Sequence, residues 1–332
     1  MVFLDHFYIE DKNGFLYTVI GNRHPPQIVY AYLKYRPAHE KTIWCRGDTC
    51  YERVIPTYTP ELVHGKTPLR IYDPYYDTYV PAVVVSRITR VYDPRIRVGE
   101  IITRPKDPLE EEAGYYATLL SREANIPLNC IGITGSILAR IHNPGRSDID
   151  YIIYGVRCCE KVLEAFIEGG LEFFKPFPPE KLFEWALQLA RLHNIDVTDV
   201  LAIYRRWRRG VLESSREYSL AYSLDHMEPY TGNRWVTTGA ARIKVLVENT
   251  PHTLNYPSKS LVREYRVLEV LYGSIKDEVR TLLSFENLYL PVIYEEGWLV
   301  VEGIIQWCPE TKESRIVVGT LEHKGFVIPA QK

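Results

Sequence analysis

Cys130-Ile-Gly-Ile-Thr-Gly-Ser-Ile-Leu-Ala-Arg-Ile-His-Asn-Pro-Gly-Arg-Ser-Asp-Ile-Asp-Tyr-Ile-Ile-Tyr-Gly155 is the stretch that decides the fold. It reads as a short strand, a tight Gly135-Ser136 turn, a short helix, a loop and a second strand. Side chains alternate along a strand, so Asp148 and Asp150 share a face where the second strand begins. The residues after them, Tyr151 to Tyr154, have strand propensity and read as buried. Two adjacent carboxylates repel each other unless a cation lies between them. Mg²⁺ fits, because it takes oxygen ligands and is usually held by one or two carboxylates plus substrate phosphates. Gly135 and Ser136 open a helix, whose free N–H groups favour a phosphate. The unit therefore reads as a metal and triphosphate site.

Working outward, length and composition bound the rest. A chain of 332 residues suggests two or three domains. With 46% hydrophobic and 25% charged residues it reads as an ordinary globular protein. No apolar run is long enough to span a membrane, and the N-terminus lacks a signal sequence, so a cytoplasmic location is expected. The net charge of −2 excludes a global basic field, so any nucleic-acid surface must be a local patch. Few methionines (2) and many prolines (22) fit a thermophile. Cys45 and Cys50 lack a second ligand pair for zinc. Free thiols are the expectation, with a Cys45–Cys50 bridge the alternative. Cys158 and Cys159 are expected to pack.

A hydrophobic residue, Gly135-Ser136, a gap, then Asp148-Ile149-Asp150 entering a strand resembles the DNA polymerase β-type nucleotidyltransferases. The wider phrasing, Gly-Ile-Thr-Gly-Ser-Ile-Leu to Ser-Asp-Ile-Asp, resembles an archaeal group of predicted nucleotidyltransferases of unknown substrate. So does His24-Pro25-Pro26 followed by Ala31-Tyr32-Leu33-Lys34-Tyr35. The superfamily motif covers only about residues 130–155. The resemblance implies Asp148 and Asp150 as catalytic metal ligands for Mg²⁺ (or Mn²⁺), with Gly135 and Ser136 holding the nucleoside triphosphate. It also implies a third carboxylate on a later strand. Glu248, ending the strand 238–248, is the candidate, and Asp225 is the other. Arg242 and Lys244 share a face of that strand and are candidate triphosphate contacts, or solvent-facing charges.

Along the chain, residues 1–105 read as mostly strand, with 14–21, 27–35 and 81–91 as strands and 56–79 as an irregular connection. Residues 107–125 read as a helix with Asp107 as its cap and Pro108 at its first position. Helices are expected over 160–167, 178–193 and 196–209. The last ends in Arg205-Arg-Trp-Arg-Arg209, the most basic run, where Arg205, Arg208 and Arg209 would share a helix face and meet RNA or another acceptor. Beyond 251 the chain returns to strand, and short strands with turns suggest a small barrel or curled sheet. An OB-like barrel would suit nucleic acid.

The expected fold is α+β: a β-rich region 1–105, a polymerase β-like nucleotidyltransferase domain 106–250 with a helical insertion 158–210, and a β-rich region 251–332. The expected function is Mg²⁺-dependent transfer of a nucleoside monophosphate to an unknown acceptor, with release of pyrophosphate. The alternative is a catalytically inactive fold that binds nucleotide or RNA.

Overall fold

The computed structural model describes residues 1–330, a mixed α/β chain with several sheets that forms two compact units. The first unit comprises Met1–Leu69, Pro81–Pro176 and Arg206–Tyr230. Its N-terminal sheet contains β1 (Tyr8–Asp11), β2 (Leu16–Val19), β3 (Ile28–Pro37), β4 (Trp44–Arg46) and β5 (Thr49–Arg53). β6 (Arg70–Asp73) falls in the second unit, and β7 (Thr78–Val84) and β8 (Ile88–Tyr92) follow. The order is β4-β5-β3-β2-β1-β8, with β7 also against β3. Tyrosines carry this sheet as expected: Tyr8, Tyr30, Tyr35 and Tyr51 are all buried. Two helices occur where strand or irregular chain was expected. α1 (Pro60–Lys66) is capped by Thr59, and α2 (Pro94–Thr103) by Asp93; both place proline in the first turn.

α3 (Pro108–Glu123) begins as read, with the Asp107 carboxylate accepting the N–H groups of Leu109 and Glu110. Then come β9 (Ile131–Ile133), α4 (Gly135–Leu138), β10 (Ile149–Tyr154), α5 (Val156–Ile167) and β11 (Phe174–Lys175). The second-unit helices α6 (Pro179–His193) and α7 (Val197–Ile203) intervene before β12 (Arg209–Leu212) and β13 (Glu217–Ser223) complete a second sheet. Its order is β11-β12-β13-β10-β9, with β10 and β13 parallel and the other pairs antiparallel. Ile152, Tyr154 and Ala221 of this sheet share a core with Phe7, Val19, Val29 and Leu33 of the N-terminal region.

The helix expected over 196–209 stops at Ile203. The arginine run is not one helical face. Arg206 donates to the carbonyls of Leu171, Phe174 and Phe166. Arg208 donates to that of Leu220, Trp207 is buried, and Arg209 enters the sheet opposite Ser219. The chain turns over 206–208, so successive arginines reach different carbonyls instead of lining one helical face. The cysteine expectation also changes. Cys45 pairs with Cys50, its cross-strand neighbour, and Cys130 with Cys158; Cys159 and Cys308 are free and buried.

The second unit comprises Arg70–Val80, Phe177–Arg205 and Thr231–Lys332. Its strands are β14 (Val236–Glu248), β15 (Ser258–Gly273), β16 (Val279–Ser284), β17 (Gly297–Cys308), β18 (Glu313–Val318) and β19 (Phe326–Pro329), with α8 (Leu290–Tyr294) between β16 and β17. The pairings β14-β15-β16-β18-β17 close on β14, forming the barrel that the alternating strands suggested; β19 adds to β17. The barrel begins at Val236, inside the stretch read as nucleotidyltransferase domain. Its core is aliphatic (Ile243, Val245, Val262, Leu282, Val301, Ile316), and Ile203 joins it.

Candidate metal and nucleotide site

The first unit brings the quoted motif together at the entry of β10. Asp150 lies opposite Ser219 on the parallel strand β13, and the Ser219 hydroxyl donates to its carboxylate at 2.5 Å. Directly paired residues share a sheet face, so Asp148, Asp150, Ser219 and Glu217 project to one side. Arg209 extends the same row, because it pairs with Ser219 from β12.

Gly135 closes the site from above. Its φ of 66° is left-handed, and a Cβ there would lie 2.2 Å from Asp150 Oδ2. Only glycine admits the carboxylate so close to the backbone. Ser136 is buried and its hydroxyl lies 3.3 Å from that of Ser147, which accepts the N–H of Asn143 at 3.0 Å. This couples the turn after β9 to the loop before Asp148. α4 is the short helix that the sequence suggested, a single turn of four residues.

The carboxylates interact as anticipated. Asp150 beside it, then burial of the carboxyl, push Asp148 up to about 6, and Glu217 adds to this; Lys34 acts in the opposite sense. The side chain of Asp148 nevertheless reaches solvent, so the neighbouring charge is the weightier cause. A carboxylate raised by the acid beside it, over a backbone left bare for that neighbour, suits a divalent cation held by oxygen. Asp148 and Asp150 would hold it, with Glu217 on the same face.

The other expected site residues lie elsewhere. Glu248 ends β14 in the second unit and pairs with Arg263. Arg242 pairs with Glu302 at 2.7 Å and Glu269 at 3.3 Å, and Lys244 lies 5.4 Å from the Trp298 ring centroid. Asp225 is in the first unit but next to Gly155, at the far end of β10, and pairs with His226 at 2.9 Å. Of the arginines, only Arg209 shares the face of the acids; Arg205 pairs with Glu295. Sequence reading missed Glu217, Ser219 and Lys34. An acid opening an alternating strand, Glu217-Tyr-Ser-Leu220, was the available signal for the first two.

A second cluster, Asp107, Glu110 and His142, has donor atoms within 4.8 Å of one another. Its donors are committed to structure. Asp107 caps α3 and accepts from His142 at 2.8 Å, while Glu110 binds Arg97 and the N–H of Lys106.

The chain resembles an uncharacterized protein of Methanocaldococcus jannaschii, 22% identical over 335 residues that cover 94% of each chain. No known protein family matches it, and no solved structure matches it.

Proposed function

We propose that this protein is a Mg²⁺-dependent nucleotidyltransferase of the polymerase β type. The observation that carries the reading is the row Asp148, Asp150 and Ser219 under the bare backbone of Gly135, with Glu217 on the same face. Asp148 and Asp150 are the metal ligands. Bound there, Mg²⁺ supplies charge neutralisation at the α-phosphate and alignment of attacking and leaving oxygens. Ser219 fixes the rotamer of Asp150, and Gly135-Ser136 lines the nucleotide side. An acceptor hydroxyl attacks the α-phosphorus, a new O–P bond forms, and the bond to the bridging oxygen breaks to release pyrophosphate. Glu217 takes the acceptor's proton. Glu217 replaces Glu248 and Asp225 as the third carboxylate in this reading, because it alone of the three shares the face.

A binding role for the barrel supports RNA as acceptor. Strand order first-second-third-fifth-fourth, a parallel third–fifth pair and a helix between third and fourth are features of OB barrels. Its adjacent strands β14, β15 and β17 place Lys244 and Arg266 near the Trp298 ring, a pairing of cation and aromatic ring suited to single strands. A chain that binds nucleotide or RNA without chemistry is the second reading, and this barrel surface favours it.

The test incubates the protein with each labelled nucleoside triphosphate, Mg²⁺ and RNA, and measures pyrophosphate and labelled acceptor. Asp148→Asn with Asp150→Asn is expected to abolish Mg²⁺-dependent nucleotide binding and release while the protein stays folded. Unchanged Mg²⁺–nucleotide affinity in the double variant would overturn the site. Binding without pyrophosphate release from any nucleotide would select the second reading.

A further inference from the structure

The N-terminal sheet holds two cations that are not matched by acids. Lys34 of β3 is half-buried, and its ammonium lies 5.4 Å from the ring centroid of Tyr8, 5.7 Å from that of Tyr58 and 5.9 Å from that of Tyr35. Arg53, at the end of β5, stands 5.3 Å from the other partner of this group, the Tyr58 ring, and donates to the carbonyl of Ile55 at 3.0 Å. Among the described residues neither has a carboxylate within ion-pair distance. The neighbouring arginines do: Arg36 pairs with Glu52, Arg46 with Glu10, and Arg87 with Asp11.

This contrast has a physical cost. Taking a charge partly out of water without a partner is unfavourable, and two cations flanking one ring repel each other. Burial opposes the charge on Lys34, but the oxygens of Tyr58, Tyr8, Tyr32 and Tyr35 outweigh it and hold its pKa well above the ordinary lysine value. The charge therefore stays, walled by phenols, and the rings of Tyr8 and Tyr35 beneath it share a core with Leu138, Ala139 and Ile141, which follow directly on the Gly135-Ser136 turn of the site. A half-buried cation without an acid, beside a metal-type carboxylate pair, suits an anion that arrives with the metal.

We propose that Lys34 and Arg53, with the phenols of Tyr32 and Tyr58, form the pocket for the β- and γ-phosphates of the nucleoside triphosphate, and so for the pyrophosphate that leaves. This rests on the nucleotidyltransferase reading and extends it: the acids on β10 hold the reacting end, and the N-terminal sheet holds the tail. It also gives the β-rich N-terminal region a role in the reaction. The phosphate ligands come from side chains of β3 and β5, and the single turn α4 is not required to bind the tail.

The test uses the full chain and inorganic tripolyphosphate, titrated calorimetrically in EDTA, so that the metal site is silent. Lys34→Met and Arg53→Gln are each expected to bind about tenfold more weakly than the parent, the scale of one lost charge-assisted contact. Asp148→Asn with Asp150→Asn should bind tripolyphosphate as tightly as the parent, or more tightly, because two negative charges are gone. Lys34→Met should melt somewhat below the parent yet stay folded, since the fold favours the charge that it removes. Parent-like tripolyphosphate affinity in both cation variants overturns the pocket, even if the double Asp variant loses Mg²⁺–nucleotide binding as the functional reading requires. No tripolyphosphate binding by the parent overturns it as well. Should Lys34→Met fail to fold, Arg53→Gln decides alone. Loss of tripolyphosphate binding in the cation variants, with Mg²⁺–nucleotide binding unaffected by the Asp variant, would keep an anion pocket while removing the catalytic reading.

Discussion

At the scale of residues, the site is governed by mutual repulsion. Asp148 binds its proton up to about pH 6 because Asp150 lies beside it, whereas an unfolded aspartate titrates near 3.9. The folded apo protein therefore carries more protons than the unfolded chain between about pH 4 and 6, and stability falls as pH rises through that window. Mg²⁺ affinity should rise over the same interval, as proton and metal compete for the carboxylate. Melting the apo protein at a series of pH values checks this; a profile unchanged by Asp148→Asn would assign the slope to other groups. The pair itself was legible in the sequence, because two residues apart on a strand is a local relation. So was the glycine, although its reason is tertiary: Asp150 Oδ2 occupies the place of its Cβ. Glu217 and Ser219 were not legible. They meet Asp148 and Asp150 through a parallel pairing whose register depends on everything folded between, and no local pattern encodes it. Lys34 was quoted within a resemblance, yet nothing nearby in sequence tied it to the acids.

At the scale of elements, the cap and proline read at the start of α3 were reliable. Asp107-Pro108 opens α3 as its residue types require, and the same signal at Asp93-Pro94 opens α2 inside a region assigned to strand. The arginine run misled because a basic helix end and a set of internal carbonyl donors have the same composition. Arg206 now belongs to the fold: its guanidinium satisfies three carbonyls, at 2.9 Å from Leu171, 2.9 Å from Phe174 and 3.0 Å from Phe166. Arg206→Gln should destabilise the protein by about 1–3 kcal/mol, the cost of leaving a buried polar group unpaired. Denaturant melts measure it, and a change under half of that range would mean that water replaces the guanidinium. Arg209→Gln, facing the site instead of the interior, should leave stability nearly untouched.

At the scale of the whole molecule, neither unit is one continuous piece of chain. The barrel looks self-sufficient in strand order, but Arg315 in its wall is buried, and burial lowers its pKa to about 10. It donates to Gln306 at 2.8 Å and to the carbonyl of Tyr75, and stacks 4.1 Å from the Trp235 ring centroid. Gln306 in turn donates to the carbonyl of Tyr76 at 2.8 Å. A fragment 231–332 keeps Trp235 and loses Tyr75 and Tyr76. It should melt well below the barrel of the intact chain, and Arg315→Met should raise the melting temperature of the fragment by removing the stranded charge. Tryptophan fluorescence during heating follows both; a fragment as stable as the intact barrel would mean that the 70–80 segment adds nothing.

The parallel partnership of β10 and β13 also sets a timetable for synthesis. The ribosome delivers Asp148 and Asp150 first, and the next residues to emerge include α6 and α7, which belong to the other unit. Ser219 and Glu217 arrive only after that detour. A nascent chain halted before residue 206 thus displays two mutually repelling acids with neither the hydroxyl that orients Asp150 nor the neighbouring glutamate. The acid row is completed late, so a chain halted before residue 217 cannot assemble it and lacks β13's side of the site.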